Sequence, residues 1–365
     1  KNIMKENYTE TYTKALNNFI DLSSQDITAQ IAKEHGLVGL ARLEICLKEL
    51  NIGENAAHLI ALPDFTYTRN KLRWDAGFPY GCIIKIDNPH QNFIPLEFRP
   101  NCCGVILCEI PKLEYDILAL KKQFEKILDK NNKIDTNDFN KRNHFIGVYK
   151  SIDNEKLYAL LHGSFKYIKN NLYTERDNKW KNKIKSMKIM DRDFLYLIDD
   201  DAKQYYLEYK NYETESSILR EAIMKELFGE NIQTIFNDTH EGFKDINTIL
   251  LGAYASDNPF HCPIMLSPND NLFYVSIDNS IVLHNQNKIF CSPHGGGYEL
   301  LLADKYSKIN SGDYLLQYPN NCKMITSNII DMPFNYRNNA VQLWKDKYNV
   351  CQIVLELIPI INLKI

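Results

Sequence analysis

Four short segments of this sequence place histidine or cysteine at a predicted strand end or in a tight turn. They are residues 99–105, 142–145, 161–164 and 292–297, which carry Cys103, His144, His162 and His294 respectively. Each segment alone is weak evidence, because a single histidine at a strand end is commonly a hydrogen-bonded structural residue. Taken together, the thiolate of Cys103 and the imidazoles of His144 and His162 form an ordinary ligand set for a divalent transition metal. Ligand softness favours zinc or cobalt over manganese in such a set, so the residue types alone leave the ion open.

The two histidines of this set are brought together by the strands that we predict next to them. His144 precedes a predicted strand over residues 145–149, and His162 follows a predicted strand over residues 157–161. Antiparallel pairing of these strands as a hairpin places the start of one beside the end of the other. We therefore expect both imidazoles on one side of a sheet.

His294 is followed by three glycines, Gly295, Gly296 and Gly297. Glycine is used where the backbone approaches a ligand closely or takes a positive φ, and exposed amides in such a loop can bind phosphate. An imidazole beside bound phosphate can be a general acid, a metal ligand or a nucleophile that accepts a nucleotide. The alternative is a glycine-rich turn with a surface histidine, and the pattern alone favours neither.

The elements that position these residues follow from the apolar spacing. We expect a helical N-terminal part over residues 1–60, in which residues 24–26 form a capping signal. Short or long apolar runs predict strands at 81–86, 104–108 and 351–363, and residues 116–132 predict an amphipathic helix. Residues 166–232 predict a charged helical segment, whose basic stretch 178–188 indicates a solvated face or a nucleic-acid contact. Without a repeat or a linker, the sequence predicts one α+β domain over residues 1–365.

The composition is that of a globular protein with a hydrophobic core. Of 365 residues, 44% are hydrophobic and 24% charged, and the net charge is −3, so a global field that would attract nucleic acid is excluded. Nine cysteines, an odd number, indicate reduced thiols. The sequence has no apolar run typical of a signal peptide or a membrane span, so we expect a cytoplasmic protein without a membrane partner.

The ordered set of these segments resembles the RtcB-type RNA ligases, which act in tRNA splicing and RNA repair. The resemblance is carried by LPD (62–64), GFPYG (77–81), PNCCGV (100–105), NHFIGV (143–148), LHGS (161–164), SPHGGGY (292–298), PFNYRN (333–338) and the near-terminal IP (358–359) and Lys364. It implies a single large α+β domain, with mixed sheets around a central metal and nucleotide cleft and with peripheral helices. It also implies a ligase that joins an RNA 2′,3′-cyclic phosphate or 3′-phosphate end to a 5′-hydroxyl, using GTP and one or two Mn²⁺ ions.

The same resemblance assigns roles to individual residues. His294 is implied as the nucleophile that takes GMP, and the metal ligands are implied to be Cys103, His144, His162 and His240. The nucleotide site is implied to comprise Asn143, Phe145, Ser267, Asn269, Gly295, Gly296, Gly297, Tyr336 and Lys364.

The chain departs from the family pattern at several positions. Pro100 stands where the family has a metal-bridging aspartate, Leu251 replaces a motif lysine, and Tyr298 replaces a motif arginine. Gly147 replaces a motif glutamate and Thr66 a motif histidine. Two other interpretations therefore stay open. One is a catalytically impaired relative that binds RNA ends or a protein partner, and the other is a metal-dependent hydrolase on an unrelated fold.

Overall fold

Helices and strands alternate irregularly along the chain in a mixed α+β arrangement. The computed structural model describes residues 2–114, 116–130, 139, 144–301, 305–308, 314–317, 322–326 and 328–364. Its α-helices are α1 (Asn2–Asn17), α2 (Ile27–Glu49), α3 (Lys71–Ala76), α4 (Ile117–Lys130), α5 (Lys166–Asn170), α6 (Arg176–Lys179), α7 (Asp199–Phe228) and α8 (Ala340–Gln342). Short 3₁₀ turns (Leu96–Phe98, Ile329–Asp331) and π-helical turns (Asn171–Glu175, Leu343–Lys347) complete the helical part.

The strands form one large sheet, one sheet of five strands and several small ones. In chain order they are β1 (Phe19–Asp21), β2 (Ala57–Thr66), β3 (Tyr80–Ile86), β4 (Phe93–Pro95), β5 (Gly104–Ile110), β6 (Phe145–Ser151), β7 (Leu157–Gly163), β8 (Lys185–Ile189), β9 (Arg192–Ile198), β10 (Gln233–Thr239), β11 (Glu241–Asp245), β12 (Thr248–Leu251), β13 (Ala253–Ser256), β14 (Phe260–Met265), β15 (Leu272–Ile277), β16 (Ile281–Val282), β17 (Lys288–Pro293), β18 (Tyr298–Leu300), β19 (Lys305–Lys308), β20 (Tyr314–Gln317), β21 (Lys323–Thr326), β22 (Phe334–Tyr336) and β23 (Cys351–Leu363).

The large sheet has seven strands in the order β10-β5-β7-β6-β23-β15-β14, with antiparallel neighbours throughout. Its two ends approach each other, because the hydroxyl of Tyr274 on β15 donates to the carbonyl of Ile235 on β10 at 3.4 Å. The sheet is therefore nearly closed. The five-stranded sheet, in the order β1-β2-β3-β12-β11, supplies the second wall of the interior.

Helix α2 packs against the five-stranded sheet and begins where the sequence predicts. Asp26 is its N-cap, and a side-chain oxygen of Asp26 accepts from the N–H of Ala29 at 2.9 Å. Gly39 brings α2 close to the segment after α3, since a Cβ on Gly39 would lie only 2.0 Å from the carbonyl oxygen of Gly77. This contact fixes the position of the chain that leads into β3.

Most of the predicted elements that flank the site are confirmed. The strands expected at 81–86, 104–108, 145–149, 157–161 and 351–363 are present as β3, β5, β6, β7 and β23, and the helix expected at 116–132 is α4. No helix in the part of the chain that the structure describes is both long and apolar enough to cross a membrane. The prediction of one domain over residues 1–365 stays a prediction.

Two predicted helical segments contain strands, and there the prediction is wrong. Within residues 166–232, β8 and β9 form a hairpin whose turn residues, Met190 and Asp191, both have positive φ. A two-residue turn of this kind matches the right-handed twist of paired strands. Burial of Phe194, Tyr196 and Leu197 on β9 stabilises the hairpin despite the charged composition of the segment. Within residues 1–60, β1 and the start of β2 are strands, because their apolar residues pair in the five-stranded sheet.

The basic stretch 178–188 lies in α6, the loop after it and β8. Lys179 pairs with Glu208 at 2.7 Å, and Lys183 pairs with Asp201 at 2.8 Å. These ion pairs with α7 favour the solvated-face interpretation over a phosphate contact, because the two ammonium groups already have acidic partners.

Candidate functional site

One edge of the large sheet gathers four of the residues that the sequence predicts for the site. Cys103 precedes β5, His144 precedes β6, and His162 is the next-to-last residue of β7. The hairpin register sets Phe145 opposite His162, so the predicted juxtaposition of the two histidines is confirmed. His240 follows β10, and its N–H donates to the carbonyl of Cys103 at 2.9 Å. Antiparallel order therefore brings strand starts and strand ends to the same edge.

Three of these side chains form a group that can hold a metal ion. The Sγ atom of Cys103 lies 3.2 Å from Nε2 of His144 and 3.3 Å from Nε2 of His162. All three donor atoms lie within 4.8 Å of one another, and all three residues are buried. Tetrahedral zinc with ordinary bond lengths separates a thiolate sulfur from an imidazole nitrogen by about 3.6 Å. The donor types and their spacing therefore fit one divalent transition metal, without specifying which.

His240 adjoins this group through one of its members. Its Nε2 lies 3.3 Å from Nε2 of His162, and its Nδ1 lies 3.4 Å from the hydroxyl of Tyr254. Burial, and then the neighbouring His294 and His162, lowers the pKa of His240 well below its usual value. A neutral ring keeps the lone pair that a metal ligand needs. His240 itself is outside the group of three mutually close donors.

His294 follows β17 and is held by a buried carboxylate. Oδ2 of Asp64 lies 2.7 Å from Nδ1 of His294, and both side chains are buried. With Asp64 ionised, Nδ1 carries the proton, so Nε2 keeps the lone pair that a nucleophile or a metal ligand requires. The ring of His294 also packs at 4.5 Å from that of His240 and at 5.1 Å from that of Tyr80. The arrangement orients His294 beside the metal group.

A bulge in β2 brings Asp64 to His294. β2 pairs regularly with β3 up to Ala61 and again at Thr66, so the four residues between them oppose Gly81 alone. Gly81 has a φ of 76°, and a Cβ there would lie 2.6 Å from the carbonyl oxygen of Asp64. Glycine is therefore required opposite the bulge.

The three glycines after His294 pack against backbone from elsewhere in the chain. A Cβ on Gly296 would lie 2.0 Å from the carbonyl oxygen of Arg337, and one on Gly297 would lie 2.3 Å from that of Asp64. Gly297 has a φ of 75°, and the N–H of Gly295 donates to Oδ2 of Asp64 at 3.3 Å. These contacts make the loop a tightly packed turn around Asp64. The close packing explains why glycine occupies these positions.

Six of the nine residues implied for a nucleotide site border one small cavity beside His294. They are Phe145, Ser267, Gly295, Gly296, Gly297 and Tyr336. The cavity has a volume of about 30 Å³, enough for about one water molecule. A cavity of this size has no room for a nucleotide.

The other three implied residues lie elsewhere. Asn269 is exposed and accepts from the side chain of Asn362 at 2.8 Å. Lys364 is near Arg69, and partial burial together with the charge of Arg69 lowers the pKa of Lys364. Asn143 lies outside the described residues.

Neither Cys102 nor Asp64 replaces the aspartate for which Pro100 stands, because neither belongs to the metal group. The backbone N–H of Cys102 donates to the carbonyl of Glu241, and burial raises the pKa of Cys102 well above its usual value, so the thiol stays neutral. Asp64 is engaged by His294. Pro100 itself offers no donor, so the part of the chain that the structure describes provides a three-residue metal group and no carboxylate within it.

A buried ion pair beside the site went unnoticed in the sequence. Nη1 and Nη2 of Arg73 donate to the two carboxylate oxygens of Glu241 at 3.2 and 3.1 Å, and both side chains are buried. Arg73 and Glu241 are 168 residues apart, so no local spacing could have linked them. Asp64, in contrast, lies in a motif segment and could have been proposed as the partner of His294.

Comparison with models of known protein families gives no match for this chain, and comparison with curated protein sequences gives none either.

Proposed function

We propose that this protein is a metal-dependent RNA ligase of the RtcB type, in which His294 accepts GMP. The observation that supports the proposal is the 2.7 Å contact between Asp64 and Nδ1 of His294, next to the group of Cys103, His144 and His162. The proposed reaction joins an RNA 3′-phosphate or 2′,3′-cyclic phosphate end to a 5′-hydroxyl end, with GTP as co-substrate. Mn²⁺ is the ion that the resemblance implies.

In the proposed first step, Nε2 of His294 attacks the α-phosphorus of GTP. A nitrogen–phosphorus bond forms while the bond to the β-phosphate oxygen breaks, and pyrophosphate leaves with the electron pair. The proton on Nδ1 stays in place, and the positive charge that develops on the ring faces the carboxylate of Asp64. GMP then passes to the RNA 3′-phosphate, which regenerates His294, and the 5′-hydroxyl displaces GMP.

Cys103, His144 and His162 are the residues that would hold the metal in this scheme. A bound divalent ion supplies positive charge that offsets the charge of the phosphate oxygens during transfer. The ring of His240 contacts both this group and His294, with ring centroids 5.1 Å from His162 and 4.5 Å from His294. The ring of His294 also meets that of His162 directly, edge to face, at 6.3 Å.

Arg69 offers a substitute for the motif arginine that Tyr298 replaces. The guanidinium of Arg69 lies over the ring of Tyr298 at 5.4 Å and over the ring of Phe334 at 4.9 Å. Cation–π contacts of this kind hold a charged group at a defined place. The guanidinium of Arg69 therefore lies beside Tyr298, the residue that stands at the position of the motif arginine.

A second candidate function is binding of RNA ends without catalysis. It is favoured by the small volume beside His294 and by the absence of a carboxylate from the metal group within the described residues. Loss of a bridging carboxylate weakens both ion binding and the clamp on the transferring phosphate. In this alternative, the protein retains the metal and binds the RNA end but never forms the adduct.

Incubation with α-labelled GTP and Mn²⁺, followed by denaturing electrophoresis, tests the proposal. We expect a covalent label that acid removes, because a phosphoramidate is acid-labile, and we expect His294→Ala to lose it completely. Lys188→Gln, an exposed change on β8, is the matched control and should be labelled as the unaltered protein is. Full labelling of His294→Ala would refute the nucleophile, and no label on protein shown to contain metal would favour the binding function.

A further inference from the structure

Helix α7 carries polar side chains on a face that is buried. Tyr209, Glu213, Ser216 and Arg220, which we call the polar stripe, are all buried, and their spacing along the sequence places them on one side of the helix. Glu213 ties α7 to β11, because its carboxylate accepts from the N–H of Phe243 at 2.9 Å. Burying polar groups is costly unless they are hydrogen-bonded, so the partners of the other three show what the stripe does.

Two members of the stripe bind both backbone groups of Cys102. The hydroxyl of Tyr209 accepts from the N–H of Cys102 at 3.1 Å and donates to the carbonyl of Glu241 at 3.0 Å. The hydroxyl of Ser216 donates to the carbonyl of Cys102 at 3.1 Å. The residue directly before Cys103 is therefore held on both sides of its α-carbon by α7.

The backbone of Cys102 needs this support. Its φ is 60°, in the left-handed region that residues with a Cβ seldom occupy. Such a conformation persists where the surrounding structure imposes it, and it is concentrated at functional sites. The backbone angles of Cys102 set the direction of the peptide that follows, and with them the place of Cys103. In this conformation Sγ of Cys103 lies 3.2 Å from Nε2 of His144 and 3.3 Å from Nε2 of His162.

Arg220 supports the same loop from the other side of Cys103. Its Nη1 donates to Oγ of Ser216 at 2.7 Å, and its Nε donates to Oδ1 of Asn237 at 3.0 Å. The guanidinium lies against Gly104, where a Cβ would be only 2.6 Å from Nη1. The stripe thus contacts the residue before Cys103 and the residue after it.

We propose that the polar stripe of α7 positions the thiolate of Cys103 for metal binding, through the hydrogen bonds of Tyr209 and Ser216 to Cys102. None of the four side chains belongs to the metal group itself, so they are positioning residues that act on the metal only through the loop. Partners that orient a metal ligand commonly influence affinity as strongly as this role requires. The inference rests on the metal group of the proposed function, but it requires neither GTP nor a GMP adduct.

Titration of the metal-free full chain with Co²⁺ tests the proposal. A thiolate bound to Co²⁺ gives a sulfur-to-cobalt charge-transfer band in the near ultraviolet, so one titration measures affinity and reports whether Cys103 is bound. We expect Tyr209→Phe and Ser216→Ala each to weaken Co²⁺ binding by about 10- to 100-fold and to reduce this band. The thermal midpoint of each metal-free variant is measured alongside to establish that it is folded.

Two further variants show whether the effect passes through Cys103. Tyr205→Phe is the matched control, since Tyr205 is a buried tyrosine one turn earlier on α7 whose ring packs against Trp180 at 5.6 Å. It should bind Co²⁺ as the unaltered chain does. In a Cys103→Ser background, adding Tyr209→Phe should cost little further affinity, because the residue through which Tyr209 acts is already lost.

The outcomes separate this inference from the ligase proposal. Unchanged affinity and an unchanged band in both Tyr209→Phe and Ser216→Ala would overturn the inference, and so would an equal loss in Tyr205→Phe. A full effect of Tyr209→Phe in the Cys103→Ser background would overturn it as well. If the unaltered chain binds no Co²⁺, the metal group itself is refuted. The expected Co²⁺ results without a GMP adduct would support the inference and count against the ligase activity alone.

Discussion

The contact between Asp64 and Nδ1 of His294 orients the side chain that we propose as the nucleophile. Both are buried, and Oδ2 of Asp64 also accepts from the N–H of Gly295. The second oxygen, Oδ1, has no hydrogen-bond partner within the described residues. A buried carboxylate held this way costs folding free energy, so its position is better explained by orienting His294 than by stability.

We therefore predict that Asp64→Asn slows GMP attachment by about a hundredfold to ten-thousandfold, on the scale seen when a histidine-orienting carboxylate is lost. The amide of asparagine can donate a hydrogen bond to Nδ1 of His294. The ring proton then lies on Nε2, where it removes the lone pair that attacks GTP. The measurement is the rate of adduct formation at several GTP concentrations. The KM for GTP should stay unchanged, whereas a purely structural role would alter KM or the thermal midpoint instead.

At the scale of elements, strand order explains why the metal group forms. Cys103 and His144 start strands, and His162 and His240 lie at strand ends. Antiparallel neighbours β10, β5, β7 and β6 bring all four to one edge of the large sheet. Asp64 lies on the five-stranded sheet, and His294 follows β17 of a small three-stranded sheet. The contact between these two residues therefore depends on how the sheets pack. That packing depends in turn on close backbone contacts at glycines.

Helix α2 offers a direct test of these close contacts. Gly39→Ala should lower the free energy of unfolding by about 2 kcal/mol, since overpacking against the Gly77 backbone outweighs the gain of about 1 kcal/mol in helix propensity. Gly36→Ala is the matched control in the same helix, because the nearest atoms to its Cβ are side-chain tips at 3.3 Å. It should change stability by less than about 1 kcal/mol. Urea unfolding of both variants measures the difference, and equal effects would contradict the role of the Gly39 contact.

At the scale of the whole molecule, charge is distributed unevenly. The chain carries a net charge of −3, yet a cavity of about 450 Å³ that Cys103 and His144 line has four basic side chains and one acidic one in its wall. Buried titratable side chains elsewhere make hydrogen bonds between elements of the fold, as Glu213 does. The carboxylate of Glu213 accepts from the N–H of Phe243 and from Lys210. The contact with Phe243 joins α7 to β11, whereas Lys210 lies on α7 itself.

Burial raises the pKa of Glu213 to about 6 from 4.5, which makes the stability of the protein depend on pH. A raised pKa means that the folded state binds the proton more tightly, so this contribution is complete below pH 4.5 and lost as the pH rises to 6. The loss amounts to about 2 kcal/mol. We predict that Glu213→Gln removes it, measured as the difference in urea midpoint between pH 4 and pH 7 for the variant and the unaltered chain. An identical difference in both proteins would contradict this assignment.

The sequence by itself determined the elements and the residues that can do chemistry. Apolar spacing predicted β3, β5, β6, β7, β23 and α4, and the hairpin of β6 and β7 predicted that His144 and His162 meet. Such features are local, because they depend on residue periodicity and on the pairing of neighbouring strands. The prediction was wrong in two segments that the sequence indicated as helical: β1 and the start of β2 lie within residues 1–60, and a positive-φ turn forms the hairpin of β8 and β9 within residues 166–232.

Only the tertiary structure decided which distant residues share the site. Asp64 reaches His294 from 230 residues away through a bulge, and Arg73 meets Glu241 across 168 residues. The packing of Gly296 and Gly297 against Arg337 and Asp64 likewise has no counterpart in local pattern. The physical reason is that non-local contacts depend on how sheets pack and on where a bulge shifts the register, whereas periodicity specifies only the faces of single elements.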